Sequence, residues 1–199
     1  MGPAWYPGAW FRLPREEKVL YLTFDDGPTP GVTSTVLDIL QAWNAKATFF
    51  VIGKNATAHP ELLTRIQALG HGLGGHCMQH ENGFNTDDGA YLNSANQSLA
   101  LLPSTKLFRP PYGRIRRRQH LALKDQGVQT VLWDVLSYDF EPALSAQDCI
   151  AWTRDRVRAG SIVVFHDSHK AAPRMEEALQ SLLADWTAAG YRFEALPGV

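Results

Sequence analysis

The chain has 199 residues, and its 19 Lys and Arg against 20 Asp and Glu leave a formal net charge of −1. This length favours one domain, which buries enough surface to fold without a disulfide framework. The composition, 45% hydrophobic and 20% charged, excludes disordered and fibrous chains, and the near-neutral charge argues against a nucleic-acid-binding protein, which normally carries a basic excess.

Membrane and targeting signals are absent from the sequence as given. Residues 1–8 contain no basic segment followed by an apolar stretch, so we predict no signal peptide. The longest apolar runs, such as Ile162–Phe165, are far shorter than the ~20 residues that cross a bilayer. Cys77 and Cys149 alone make neither a disulfide framework nor a metal knuckle. We therefore expect a cytoplasmic location and no membrane span.

Short apolar runs alternate with helical patterns along the chain. The predicted strands are Val19–Phe24, Ala47–Ile52, Gly72–Gly75, Lys106–Arg109, Gln129–Asp134, Ser161–Phe165 and Tyr191–Ala195. The predicted helices are Thr33–Trp43, Pro60–Leu69, Tyr91–Leu101, Arg117–Gln126, Ala146–Arg158 and Met175–Ala189. This alternation indicates right-handed βαβ units and a parallel sheet.

Seven parallel strands are compatible with a small (β/α) barrel or with an open doubly wound sheet. The motif Gly-x-Gly-x-x-Gly, which favours the dinucleotide-binding form of the open sheet, does not follow the first strand. Reactive side chains instead follow the strands at their carboxyl ends, the edge at which a parallel barrel builds its active site, and we favour the barrel. These side chains are Asp25, Asp26, His76, Arg109, Asp134, His166 and Asp167.

Two adjacent carboxylates, Asp25 and Asp26, emerge from the first apolar strand. Burying them costs free energy unless each has a partner or a metal. Neighbouring residues of an extended chain point to opposite sides, so one carboxylate could bind a cation while the other titrates. The alternative is a simple turn at Gly27-Pro28 with both carboxylates solvated.

Two histidines, His76 and His80, are four residues apart after the Gly-rich third strand. On a helical turn they would lie about 6 Å apart along one face and could share a metal. On a strand they would be roughly 13 Å apart and could not. We predict one helical turn here, with ordinary surface or core histidines as the alternative.

Two further strand ends carry candidate catalytic groups. Arg109 is followed by Pro110-Pro111, a stiff turn that could fix the Tyr112 N–H as an oxyanion donor, or could be only a structural turn with a surface ion pair. His166 ends a buried strand as a titratable imidazole or as a satisfied core group.

Together, two His and one Asp make an N/N/O set with an open position for water, as in catalytic zinc-type sites. Asp25 is then the candidate base and His166 the candidate acid, with Arg109 and Asp139 as orienting partners. These groups support metal-assisted hydrolysis of an amide or an ester.

The motifs in this order resemble those of the polysaccharide deacetylase family, which are carbohydrate esterases of family 4 built on the NodB homology domain. The resemblance covers Val19–Leu196 and implies an α/β fold, a distorted (β/α)7 barrel of parallel strands with outer helices. We predict one such domain over residues 1–199, with residues 1–18 as an N-terminal extension packed on the barrel. The matching segments are Thr23–Gly27, His76 with His80, Arg109–Gly113, Trp133–Phe140 and Val164–Asp167.

The resemblance also implies roles for individual residues. Asp26, His76 and His80 would bind one divalent metal, zinc before cobalt or nickel. Asp25 would be the general base and His166 the general acid. The Tyr112 N–H would help to hold the oxyanion, and Arg109 and Asp139 would tune the two proton-transfer groups.

The implied activity is metal-dependent removal of N-acetyl or O-acetyl groups from a carbohydrate, with an oligo- or polysaccharide containing N-acetylglucosamine as the expected substrate. Departures from the family pattern leave the metal ligands and the acid–base pair intact, so they bear on specificity more than on activity. They are Cys77, Glu81, Leu136, Phe140 and Val164.

Three alternative functions depend on residues of the same kinds. A phosphatase of the haloacid dehalogenase type needs its two acids two residues apart, and Gly27 stands there instead. A deacetylase or deformylase of a small or lipid-linked amino sugar would use the same residues, and a non-catalytic carbohydrate-binding barrel would lack some of them. We expect a carbohydrate substrate and no nucleic-acid partner, and the sequence predicts no protein partner.

Three surface features are left open by the sequence. The basic cluster of Arg114, Arg116, Arg117 and Arg118 is either a solvated helix start or a rim that binds an anionic part of the substrate. His169 could touch substrate. The aromatic residues of the N-terminal segment could stack on sugars, but we favour a plug at the bottom of the barrel.

Overall fold

The computed structural model describes residues 5–198, so the ends of the predicted domain, residues 1–4 and 199, lie outside the described residues. The strands are β1 Val19–Asp25, β2 Ala47–Val51, β3 Gly72–Gly75, β4 Leu107–Phe108, β5 Gln129–Thr130, β6 Val135–Leu136, β7 Ile162–His166 and β8 Arg192–Phe193. The helices are α1 Val32–Ala42, α2 Gly53–Ala58, α3 Pro60–Ala68, α4 Asp88–Ala100, α5 Arg117–Asp125, α6 Ala146–Arg154 and α7 Ala172–Ala188.

All eight strands pair in parallel in one sheet, in the order β5-β4-β3-β2-β1-β7-β6, with β8 beside the start of β1. The sheet curls into a half-barrel with helices around it, which confirms the predicted α/β barrel of parallel strands. The strand count differs from the predicted seven because β6, Val135–Leu136, was not predicted. Of the predicted strand Gln129–Asp134, only Gln129–Thr130 is observed as a strand, β5.

The alternation of side chains along β1 explains how the site is placed. Leu20, Leu22 and Phe24 belong to the core between the sheet and the outer helices, where Phe24 stacks on Phe49 with ring centres 5.1 Å apart. Tyr21 lies in the separate cluster on the other face of the sheet. Because side chains alternate with a period of two, Asp25 shares the face of Tyr21, inside the barrel.

The N-terminal segment contacts both sides of the curled sheet. Trp10 forms a parallel bridge to Val131, directly after β5, and Arg12 forms an antiparallel bridge to Ser161, directly before β7. The buried Tyr6 donates its hydroxyl to the carbonyl of Ile115 at 2.7 Å. Backbone groups at the β5 edge of the sheet are thereby hydrogen-bonded to this segment.

None of the helices within residues 5–198 combines the length and the apolar character that crossing a membrane requires.

Candidate active site

Asp26 lies where the chain leaves β1, and its backbone has a φ of 81°. Aspartate tolerates this left-handed conformation better than most residues. The carbonyl of Asp26 accepts a hydrogen bond from the Asn55 side chain at 2.8 Å, which holds the turn. The two adjacent carboxylates therefore diverge: Asp25 stays in the sheet, and Asp26 turns toward the two histidines.

Asp26, His76 and His80 form a compact three-residue group. The Asp26 Oδ1 atom is 3.2 Å from Nε2 of His80 and 3.8 Å from Nε2 of His76. One ligand atom from each residue lies within 4.8 Å of the other two. The predicted helical turn is absent: residues 77–79 form a turn in which Cys77 has a φ of 61°, as does His80. The histidines meet because the chain reverses, so their spacing alone does not explain the contact.

The group fits a divalent metal by its donors and by an unsatisfied atom. Among the described residues, the buried Asp26 Oδ1 accepts no hydrogen bond, and a buried carboxylate oxygen is normally paired. The Nδ1 atom of His76 lies 2.7 Å from the Arg109 carbonyl, which leaves Nε2 to face Asp26. A second partner of this kind commonly orients a metal-binding imidazole.

The protonation states also suit metal binding. Burial lowers the pKa of His76 to about 4, which keeps the imidazole neutral and able to bind a cation. Burial raises the pKa of Asp26, but the neighbouring imidazoles, above all His80, outweigh it and bring this pKa to about 2. At neutral pH His76 thus offers a neutral nitrogen and Asp26 a carboxylate.

Asp25 is paired with Arg109 inside the barrel. The Arg109 Nη1 donates at 2.7 Å to both Asp25 Oδ1 and the Thr23 hydroxyl. Its other nitrogens donate to the carbonyls of Val131 at 3.3 Å and Leu132 at 3.1 Å. Arg109 is fully buried, which excludes the alternative of a surface ion pair. A buried guanidinium with four hydrogen bonds holds the Asp25 carboxylate in one orientation.

His166 lies beside Asp25 in the sheet register and is held by Asp139. Its Nδ1 is 2.7 Å from Asp139 Oδ1, and its backbone N–H donates to Oδ2 at 2.8 Å. Burial lowers the pKa of His166, but the charge and hydrogen bond of Asp139 outweigh it and raise this pKa to about 9. The imidazole is therefore protonated at neutral pH, with Nε2 as the nitrogen that Asp139 leaves unused.

Tyr112 sits in a short 3₁₀ turn, Pro111–Gly113, with a backbone φ of 60°. Its ring centre is 4.4 Å from that of His80, and its side chain is exposed. The turn thus places the ring of Tyr112 next to the possible metal group.

All these residues except the buried partners Arg109 and Asp139 line one cleft of about 400 Å³. The cleft has lining residues that the sequence did not indicate as site residues, Ser168 and Lys170. The only feature of the sequence that could have indicated these two residues is their position shortly after His166. Residues expected to affect specificity also line it: Leu136, Phe140 and Val164.

Three residues considered in the sequence analysis do not line the cleft. The Asp134 carboxylate accepts hydrogen bonds from Ser161 and Ile162 at 3.0 Å each, so it lies at the start of β7 rather than among the reactive groups. The buried Asp167 accepts from the Gly27 N–H at 2.9 Å and closes the turn after β1. His169 is exposed and is not among the cleft residues.

Three of the four arginines of the basic cluster fall into two groups. Arg116 and Arg118 both pair with Asp88, and Arg116 also donates to the carbonyls of Phe84 and Thr86, so these two stabilise local structure. Arg114 instead lines the cleft. Within residues 5–198 its side chain forms no ion pair or hydrogen bond, which leaves its charge available at the rim.

Comparison with known proteins agrees with the motifs. The family described as polysaccharide deacetylase matches residues 12–131. A peptidoglycan-N-acetylglucosamine deacetylase of Bacillus cereus is 33% identical over 191 residues, covering 92% of this chain and 88% of that protein. A chitooligosaccharide deacetylase of Azorhizobium caulinodans is 33% identical over 165 residues, covering 78% of this chain and 77% of that protein.

A solved structure extends the likeness to three dimensions. The Bc1960 peptidoglycan N-acetylglucosamine deacetylase, in complex with 4-naphthalen-1-yl-N-oxidanyl-benzamide, is 30% identical with a TM-score of 0.90. The match covers 96% of this chain and 91% of that one. The resemblance inferred from the motifs is thereby confirmed, and this chain belongs to the polysaccharide deacetylase family.

Proposed function

We propose that this protein removes N-acetyl groups from an oligo- or polysaccharide containing N-acetylglucosamine. One observation carries the proposal: a possible metal group, a carboxylate held by Arg109 and an imidazole held by Asp139 all face the same cleft. The names of the relatives, which are deacetylases of peptidoglycan and of chitooligosaccharides, support the substrate class.

Asp26, His76 and His80 are the proposed metal ligands. A divalent metal held there would supply Lewis-acid polarisation of the acetyl carbonyl and lower the pKa of an attacking water. An N/N/O donor set suits zinc, with cobalt and nickel as alternatives.

The acid and base roles follow from the environments of the two groups. Asp25 takes a proton from the attacking water, and Arg109 keeps the Asp25 carboxylate oriented toward this water. The backbone N–H of Tyr112 donates to the carbonyl oxygen as negative charge develops there. His166 then donates a proton to the departing nitrogen, which must be protonated to leave as an amine. The raised pKa of His166 keeps this proton available at neutral pH.

We expect acetate release from N-acetylglucosamine oligomers, abolished by a chelator and restored by added zinc. Acetate is measured with a panel of chitin oligomers, peptidoglycan fragments, acetylated xylan and small N-acetyl amino sugars, and formate is measured with small N-formyl amino sugars. Release from xylan alone would indicate an esterase, and release from only the small amides would favour the small-molecule alternative. Glycan binding without any acetate release would contradict the proposal and indicate a non-catalytic barrel.

Asp139→Asn is expected to move the basic limb of the kcat–pH profile to lower pH. The negative charge of Asp139 raises the pKa of His166 to about 9, and a general acid loses activity as the pH rises through its pKa. Removing that charge lowers this pKa, so activity falls at a lower pH while the acidic limb stays in place. Asp38→Asn, a change on the exposed surface, is the control. A basic limb that does not move would contradict the assignment of His166 as the acid.

A further inference from the structure

Asp167, the residue after His166, contacts the chain on both sides of Asp26. Its backbone N–H donates to the Asp25 carbonyl at 3.1 Å, and its Oδ1 atom accepts from the Gly27 N–H at 2.9 Å. These two partners belong to the planar peptide groups that precede and follow Asp26. The soft backbone angles of Asp26 lie between those two groups, so a single residue directly after β7 restrains both of these angles.

The restrained conformation is one that residues other than glycine seldom adopt. Asp26 has a φ of 81°, and such a left-handed conformation persists where the surrounding structure fixes it. The carbonyl of Asp26 accepts from the Asn55 side chain at 2.8 Å, so the peptide group between Asp26 and Gly27 is hydrogen-bonded at both of its polar atoms. The direction of the Asp26 side chain therefore depends on these contacts.

The Asp167 side chain is itself held by Thr33 of α1. The Thr33 hydroxyl donates to Asp167 Oδ2 at 2.6 Å and accepts from the Thr29 N–H at 2.7 Å. Asp167 is 1% exposed and Thr33 is fully buried. We call Asp167 and Thr33 the clamp. Rotation of either side chain would leave buried polar groups unpaired, which is costly, so the clamp keeps one geometry.

The fit between the clamp and the turn is tight at Gly27. A Cβ atom at residue 27 would overlap the Asp167 carboxyl group, so this close approach requires glycine. The Gly27 carbonyl accepts from the Ile52 N–H at 2.9 Å, which ties the turn to the residue after β2 as well. The turn that carries Asp26 is thus held from both strands that flank β1.

We propose that Asp167 and Thr33 are positioning residues for metal binding, which hold the Asp26 carboxylate in place beside the two histidines. Among the described residues, Asp26 Oδ1 accepts no hydrogen bond, so the backbone, rather than a donor to this atom, sets its position. Partners that orient a metal ligand commonly govern metal affinity. This inference rests on the metal site of the proposed function and adds to it the residues that form the site in advance.

The test measures the zinc Kd of chelator-stripped protein by competition with a chromogenic chelator, a readout that needs no enzymatic activity. Asp167→Ala is expected to raise this Kd by about 10- to 100-fold. Thr33→Val keeps the shape of the side chain but removes its hydroxyl, and a smaller rise is expected. Asp167→Asn keeps an oxygen for the Gly27 N–H and a polar group for Thr33, so it should retain most of the wild-type affinity.

Thr35→Val is the matched control in the same helix, because the Thr35 hydroxyl donates to the Gly31 carbonyl instead. It should leave the zinc Kd unchanged. The Tm of the metal-free variants shows that they are folded, and Thr33→Val carries the test if Asp167→Ala does not fold.

A wild-type zinc Kd in the folded clamp variants would overturn the inference. Equal losses in Asp167→Asn and Asp167→Ala would do so too, because the charge of Asp167 rather than its hydrogen bonds would then be responsible. A wild-type protein that binds no zinc would instead refute the metal site of the proposed function, and the inference with it.

Discussion

Replacing Asp25 by asparagine should lower kcat by about 10²- to 10⁴-fold, the usual contribution of a general base. The asparagine keeps the size of the side chain and an oxygen for Arg109 but cannot take a proton from water. His166→Ala should lower kcat comparably, because the amine then leaves without its proton donor. Steady-state kinetics of acetate release measures both effects.

Each variant needs a check that the loss is chemical. Arg109 is fully buried and pairs with Asp25 at 2.7 Å, and removing one partner of a buried ion pair can cost about 3–5 kcal/mol of stability. Asp25→Asn should therefore melt at a lower temperature than wild type, and activity must be measured well below that temperature. Both variants should still bind one metal ion per chain. Near-wild-type kcat in a folded, metal-loaded variant would remove the role assigned to that residue.

His80→Ala should abolish tight metal binding, and activity should fall to the level of chelator-treated protein. His80 is the better choice of the two histidines, because its side chain is 23% exposed whereas that of His76 is 2% exposed and bonded to the Arg109 carbonyl. The truncation therefore removes a proposed ligand with little damage to the core. Metal content after dialysis measures the loss directly.

Thermal stability provides a second readout that does not depend on activity. A ligand that binds only the folded state stabilises it by about 2.7 kcal/mol at a concentration 100 times its Kd. Added zinc should thus raise the Tm of the chelator-treated wild-type protein and leave that of His80→Ala nearly unchanged. His169→Ala, which removes an exposed histidine outside the cleft, should behave as wild type. An equal rise in Tm in His80→Ala would show that the metal binds elsewhere.

Long apolar runs were sufficient to predict the centre of the sheet. β1, β2, β3 and β7 lie within one or two residues of their predicted bounds, because central parallel strands are buried on both faces and consist of apolar or very small residues. β4, β5 and β8 lie inside longer predicted strands, and β6 was not predicted. Each of these four strands has two residues, too few for a pattern that fixes its bounds. α2 was missed since its start depends on a distant segment: the N–H of Gly53 donates to the carbonyl of Cys77 at 2.8 Å.

The residues of the candidate site could be selected from the sequence, because carboxylates, imidazoles and a guanidinium placed after apolar strands meet at one edge of a parallel barrel. Their partners were decided by the tertiary structure. The curl of the sheet brings Arg109, 84 residues away in sequence, into contact with Asp25, and brings Asp139 into contact with His166. Left-handed backbone conformations at Asp26 and His80 orient these two proposed ligands toward each other. The groove lined by Tyr6, Phe11, Phe84 and Trp133 likewise forms only where the N-terminal segment meets the loops after β3, β4 and β5. Such contacts depend on distances through space, which no local pattern along the chain records.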